Sequence, residues 1–402
     1  MQPNALRETR TTPNTKAFDR WIRGRFVELN TELEGLYATR ENRADVSGIG
    51  EAQKKALLEE GRALIIPLLN EGNTDGGFEC AFDLLGNVGF YMAACRRHGM
   101  TDPDRERVSP LTEASALAMH LGASLGVTPR YATSHLATHN RAINGRYKSF
   151  TALDDEFVFL EYNTRAVFSY QRAADALVKI LPMGISHPLA LDLLEAAEIA
   201  LKAVARSNQL LFEKLDVDQF FYAVRPYYKP FRVGLHVYRG ANAGDFAGIN
   251  EIDLLLGLCQ ANDPSYSQQL VDKFLYMMPE DQKRLRNCMR QTSLLDDFLG
   301  QLDDHNREPW FQTNGRAFLD VCKAHGETAV QHHDQLVSRF IDQPAARLPE
   351  ENHQGLTASG PPLPVLLRGL EKLRDLRCAA PRDDIPSRHG DLKRLRHALP
   401  AA

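Results

Sequence analysis

Apolar residues recur at three- and four-residue intervals along most of this chain. Residues 18–37, 52–69, 111–126, 156–181 and 190–215 each place an apolar stripe on one side of a helix and polar residues on the other. Strict alternation of the kind that makes a half-buried strand is nearly absent. Residues 231–240, FRVGLHVYRG, form the best extended candidate, short and isolated. The pattern predicts an all-α fold.

The polar stretch 138–156 interrupts the helical pattern and ends in Asp154 and Asp155, residue types that favour a helix start. A boundary is expected there, between a small N-terminal helical domain, 1–150, and a large helical domain, 151–402. Two further interruptions, 225–248 and 348–364, concentrate Gly, Pro and small residues. Loops of this length serve either as plain connections or as binding loops, and composition does not choose between them.

With 402 residues and 43% hydrophobic content, the chain can bury a large core or two packed ones. A formal net charge of -4, with no long block of one sign, removes the electrostatic case for a nucleic-acid partner. The basic segment 387–399 is a local exception and reads as a solvated tail. The six cysteines are widely spaced, with no CxxC pair, and read as reduced thiols. No signal-peptide pattern and no run of about 18 apolar residues occurs, so a cytoplasmic protein with no membrane partner is expected.

The segment 326–341, GETAVQHHDQLVSRFI, sets two histidines side by side in an amphipathic pattern. On an α-helix neighbouring residues point about 100° apart, so the two cannot share an environment. Ala329, Val330, His333, Leu336, Val337, Phe340 and Ile341 fall on one stripe, which sends His333 inward and His332 toward solvent or behind its neighbour. A buried imidazole needs a partner for each nitrogen. A backbone carbonyl and a metal both meet that need, and the spacing alone leaves both open. No HExxH or CxxCH is present. A single ligand in an apolar helical cavity suits haem held by one histidine.

Four blocks carry a resemblance: 218–259 with its FFYAVR motif, 270–289, 292–299 and 322–341. Together they resemble the indoleamine/tryptophan 2,3-dioxygenase superfamily, and within it the PrnB-like branch. The resemblance implies haem b, bound noncovalently in the large helical domain, with His333 at the position of the axial iron ligand and Val337 nearby on the same helix. It implies that Phe220 and Phe221 face the substrate ring and that Arg225 clamps a carboxylate. Asn242, Ala243 and Gly244 match a small-residue loop beside the haem; Lys229 and Arg232 are expected to meet its propionates. Val167, Phe168, Tyr170 and Gln171 fall on the helix that crosses the distal face in the family.

Two departures stand out. Ser359 and Gly360 lie where the dioxygenases carry a loop that closes over substrate, but here Pro361 and Pro362 follow. The family's arginine three residues before the axial histidine is Val330. The implied activity is that of a haem-dependent oxygenase acting on an indole amino acid such as tryptophan, with O2 taken by ferrous iron opposite His333, as in a 2,3-dioxygenase. A PrnB-like ring rearrangement and a catalytically degenerate haem-binding protein remain alternatives. The HxxxC motif of peroxide-using relatives that tether haem covalently is absent. Monomer and homo-oligomer both stay open.

Overall fold

The computed structural model describes residues 11–241, 244–347 and 363–399. Helices account for 68% of the described residues, and the fold is all-α. The first stretch holds α1 (Pro13–Ile22), α2 (Arg25–Ala38), α3 (Glu51–Leu68), α4 (Phe78–Arg97), α5 (Thr112–Leu125) and the short α6 (Thr133–Leu136). Two long helices follow, α7 (Asp154–Met183) and α8 (Leu189–Lys214). After α9 (Val217–Gln219) the chain winds into a π turn, Phe220–Val224, and a 3-10 turn, Arg225–Tyr228, before the hairpin β1 (Phe231–Val233) and β2 (His236–Tyr238). Then come α10 (Ala247–Leu256), α11 (Pro264–Phe274), α12 (Pro279–Cys288), α13 (Leu294–Gly300), α14 (Leu302–His305) and α15 (Pro309–Gln331). A π-helical stretch, His332–Asp342, continues α15; α16 (Gln343–Ala345), α17 (Leu363–Arg377) and α18 (His389–Ala398) complete the chain. Among the described residues no helix is long and apolar enough to cross a membrane.

The helices start where local chemistry allows. Thr12 accepts from the Thr15 N–H at 3.1 Å ahead of Pro13, and Asp263 and Ser293 cap α11 and α13 in the same way. Each satisfies an N–H that the first turn cannot. Asp154 and Asp155 sit inside the first turn of α7, where their charge offsets the helix dipole. The extended candidate at 231–240 is a two-stranded antiparallel hairpin turned at Gly234, whose φ of 58° suits glycine.

The chain clusters into two compact units. One takes residues up to Phe157 together with Asp218–Asn242; the other takes Val158–Val217 and the chain after Ala243, apart from 355–360. The segment that holds FFYAVR, expected in the large domain, therefore belongs with the first unit. In that unit α4 is buried almost all round, from Ala81 to Cys95. Gly89 lets Tyr131 approach its backbone so closely that a Cβ would lie 2.2 Å from the Tyr131 nitrogen. Phe90, Tyr131, Phe150 and Tyr227 stack beside it, with Phe150 and Tyr227 ring centroids 4.5 Å apart. In the second unit α8 packs along α15, and Leu201, Val204, Phe298, Phe318 and Val321 are fully enclosed in its core.

Candidate functional site

The turn Phe220–Tyr228 is anchored at both ends to the first unit. Arg97, at the C-terminal end of α4, donates to the Tyr222 carbonyl at 2.9 Å, and the Tyr131 hydroxyl donates to the Tyr227 carbonyl at 2.7 Å. Pro226 has no N–H to continue a helix, so the winding tightens and ends at Tyr228. Phe220 and Phe221 are buried, and Arg225 is only 6% exposed. The Arg225 guanidinium lies 5.5 Å from the Phe221 ring centroid. No carboxylate pairs with it among the described residues, and burial lowers its pKa to about 10. A buried guanidinium without an anion is costly.

Two more cations share this condition. Lys229, just past the turn, has its pKa lowered to about 7, by burial first and then by the charges of Arg96, Arg97 and Arg225. Arg96 has a buried Nε with no hydrogen-bond partner. Arg97, in contrast, is fully matched: its Nε and Nη2 reach the two Glu34 oxygens at 2.8 and 2.7 Å. Arg232, expected beside a propionate, instead donates to the carbonyls of Pro103, Arg107 and Leu235 at 2.9, 3.3 and 2.6 Å. Those bonds tie the hairpin down, while the Arg232 Nε is buried without a hydrogen-bond partner.

The stripe read off the sequence is kept only in part. From His332 to Asp342 the backbone is π-helical, with i→i+5 bonding and a smaller rotation per residue, so a 100° wheel does not apply there. Val330, expected inward, is 39% exposed, while Val337 and Phe340 are buried as expected. His333 is half-buried, its Nδ1 2.9 Å from Asp334 Oδ1 and 3.3 Å from Arg374 Nη1. His332, the neighbouring ring, is exposed.

Behind this stretch lies a polar network that the sequence did not reveal. Asp253, on α10, is fully buried and accepts from His325 Nε2 at 2.7 Å, Arg377 Nε and Nη2 both at 2.8 Å, and the Tyr266 hydroxyl at 2.8 Å. Burial alone would raise its pKa, but Arg377 and His325 outweigh that and hold it well below the usual carboxylate range. Tyr170 meets the Thr328 hydroxyl, which also donates to the His325 carbonyl at 2.7 Å. Gly326 brings α15 close to the end of α17, where a Cβ would lie 3.3 Å from the Arg377 carbonyl. Arg377 thus supplies a guanidinium in a region where Val330 has removed the one the resemblance implied. Asp253 sits in an apolar run, NEIDLLLGL, and its arginine lies 124 residues away, which is why neither was singled out.

Of the remaining candidates, Asn242, Ala243, Ser359 and Gly360 lie outside the described residues. Gly244 sits in the turn before α10, and Val167 is buried. Phe168 is 46% exposed. His135 is a core histidine, its ring nitrogens matched by the Phe82 carbonyl and the Ala132 N–H, both at 2.8 Å. Among the described residues no group of three or more His, Cys, Asp or Glu could hold a metal ion. A single accessible imidazole fits a haem iron, and an unpaired cation fits a carboxylate.

A family model described as monodechloroaminopyrrolnitrin synthase PrnB matches residues 12–399. The match extends well beyond the four blocks quoted above and takes in nearly the whole chain, both compact units included. The chain belongs to this PrnB family, within the indoleamine and tryptophan dioxygenase-like superfamily of haem-dependent oxygenases that act on indole-like substrates.

Proposed function

We propose that this protein binds haem b noncovalently through one histidine and oxidises an indole amino acid whose carboxylate is held by Arg225. The observation that carries the reading is the Arg225 guanidinium itself, buried, seated over Phe221 and matched by no carboxylate among the described residues. A bidentate carboxylate would satisfy its fork and recover the cost of burying it. Phe220 and Phe221 then supply apolar area and edge-or-face contact for the indole. Haem, when bound, supplies the redox chemistry by which O2 enters the indole ring. The chain's own share is to bind and orient the substrate, to exclude water, and to hold an uncharged imidazole toward the iron.

We place the axial ligand at His333, the position that the resemblance selects, where Asp334 beside Nδ1 matches the carboxylate partner that ligating imidazoles commonly use. A second reading puts it at the neighbouring His332. Haem-replete protein should show a Soret band. His333→Ala should abolish it while His332→Ala weakens it at most; the reverse result would move the ligand to His332. L-tryptophan should perturb the band and be consumed under O2, and Arg225→Met should weaken tryptophan binding by about 100-fold while leaving tryptamine, which lacks the carboxylate, little changed. Equal losses for the two ligands would refute the clamp. The products separate two outcomes of the chemistry, an opened indole ring or a rearranged one.

A further inference from the structure

Within the first unit, one face of α2 meets the turn that carries Phe220, Phe221 and Arg225. Asn30, Glu34 and Tyr37 share that face at helical spacing, and all three are buried. The Glu34 side chain is 2% exposed and that of its partner on α4, Arg97, 4%. Arg97 Nε and Nη2 donate to the two Glu34 oxygens at 2.8 and 2.7 Å, and its guanidinium lies 5.0 Å from the Tyr37 ring centroid. An ion pair that only fastened α2 to α4 would be complete at this point. This one has two further partners, and both are on the turn. Arg97 Nη2 also donates to the Tyr222 carbonyl at 2.9 Å, and the Tyr227 hydroxyl bonds to Glu34. The Tyr227 ring is stacked on Phe150, whose carbonyl accepts from Asn30 Nδ2 at 3.0 Å, so the same face of α2 also supports that ring from behind. Arg225 stands between these two fixed points, and its N–H closes the π turn onto the Phe220 carbonyl.

We propose that Glu34 is a positioning residue for the substrate: through Arg97 and Tyr227 it fixes both ends of the turn, and with them the places of the Arg225 guanidinium and the Phe221 ring. This rests on the reading of Arg225 as the carboxylate clamp and adds what sets the clamp in place. A π turn and a 3-10 turn joined end to end have weaker internal hydrogen bonding than an α-helix, and Pro226 contributes no N–H to it. The winding therefore depends on bonds from outside. Glu34 touches no substrate; its effect passes through the Tyr222 carbonyl and the Tyr227 side chain to the residues between them. A bidentate clamp is sensitive to such placement, since a displacement of about 1 Å at a site can cost about 100-fold. The effect is also selective. L-tryptophan, which carries the carboxylate, senses where Arg225 stands, and tryptamine, which lacks it, does not.

Dissociation constants of L-tryptophan and tryptamine, measured on the haem-loaded protein through the shift of the Soret band, test this. Tyr227→Phe removes one hydroxyl, keeps the ring stack, and should weaken L-tryptophan about fivefold and tryptamine by less than about twofold. Arg97→Lys leaves Glu34 a cation but replaces the fork that reaches Glu34 and Tyr222 together, and should weaken L-tryptophan about tenfold. Glu34→Gln should do at least as much. Because Glu34 acts through Arg225, all three losses should shrink to less than about twofold in an Arg225→Met background. A pair that merely supported the fold would lower the folded, haem-loaded fraction and so the size of the signal, without moving the ratio of the two dissociation constants. Wild-type ratios in both Tyr227→Phe and Arg97→Lys, or losses that persist undiminished without Arg225, overturn the proposal while the clamp stands. Equal effects of Arg225→Met on the two ligands, or no L-tryptophan binding by the wild type, refute the clamp itself and the proposal with it.

Discussion

Replacing Lys229 by Met should stabilise the ligand-free first unit, and the gain should depend on pH in a defined way. The fall of the lysine pKa from 10.5 to about 7 corresponds to a penalty on the charged form of at most about 5 kcal/mol, at about 1.4 kcal/mol per pH unit. Lys229 keeps some contact with solvent, and screening halves that figure or more, leaving about 2 kcal/mol. Methionine fills the aliphatic part of the site without the charge. Because the folded value lies below the unfolded one, the unfolded chain binds more protons between about pH 7 and 10.5, and the wild type gains stability from this group as pH rises across that window. The advantage of Lys229→Met is therefore full below about pH 7 and gone by about pH 10.5. Two tryptophans occur in the chain, Trp21 and Trp310. In a Trp310→Phe background the fluorescence of Trp21, buried in α1, follows urea unfolding of the first unit alone. Equal stability of the two proteins at pH 6, or a difference that does not change up to pH 10, would refute the idea of an unpaired, desolvated ammonium at this position.

Two other predictions test the scaffold. Asp253→Asn removes the charge that matches Arg377 and His325 in a fully buried place, and should cost about 3 to 5 kcal/mol in urea unfolding of the second unit, followed through Trp310 in a Trp21→Phe background, with loss of the Soret band at lower denaturant. Gly89→Ala puts a methyl 2.2 Å from the Tyr131 backbone nitrogen, where no flexible side chain can yield; a loss of at least about 2 kcal/mol in the first unit is expected by the Trp21 assay, and a neutral result would mean that α4 and Tyr131 stand further apart.

Helices were legible because each buries one face, and burial of one face writes a period of about 3.6 into the sequence. The hairpin at 231–238 was legible for the same kind of reason, alternation around a glycine turn. Phe220, Phe221 and Arg225 came from a local motif, and all three are buried. What escaped the sequence depends on geometry or partners that no short window holds. The π winding after Gln331 is one such feature, because the side-chain pattern of 326–341 fits an α-helix just as well. Arg96 reads as an ordinary basic residue near a helix C-terminus, a place where the dipole favours it, until Lys229 is found to feel its charge. The 124 residues between Asp253 and Arg377 likewise put their pairing out of reach of periodicity.

Two buried arginines show how structure and function can be separated on physical grounds. Arg377 is densely enclosed, but Asp253 meets both its Nε and Nη2, and His325 and Tyr266 complete the carboxylate's shell; the fold itself accounts for the charge. Arg225 is just as firmly enclosed, with an aromatic face beneath it and no anion beside it among the described residues. A side chain as long as arginine could reach solvent or a carboxylate if stability were all that mattered. The turn is instead tied down by Arg97 and Tyr131 in a way that holds Arg225 inside, so its burial is imposed by neighbours whose own bonds are satisfied. A charge held unpaired by a satisfied frame is a cost that a bound carboxylate would return.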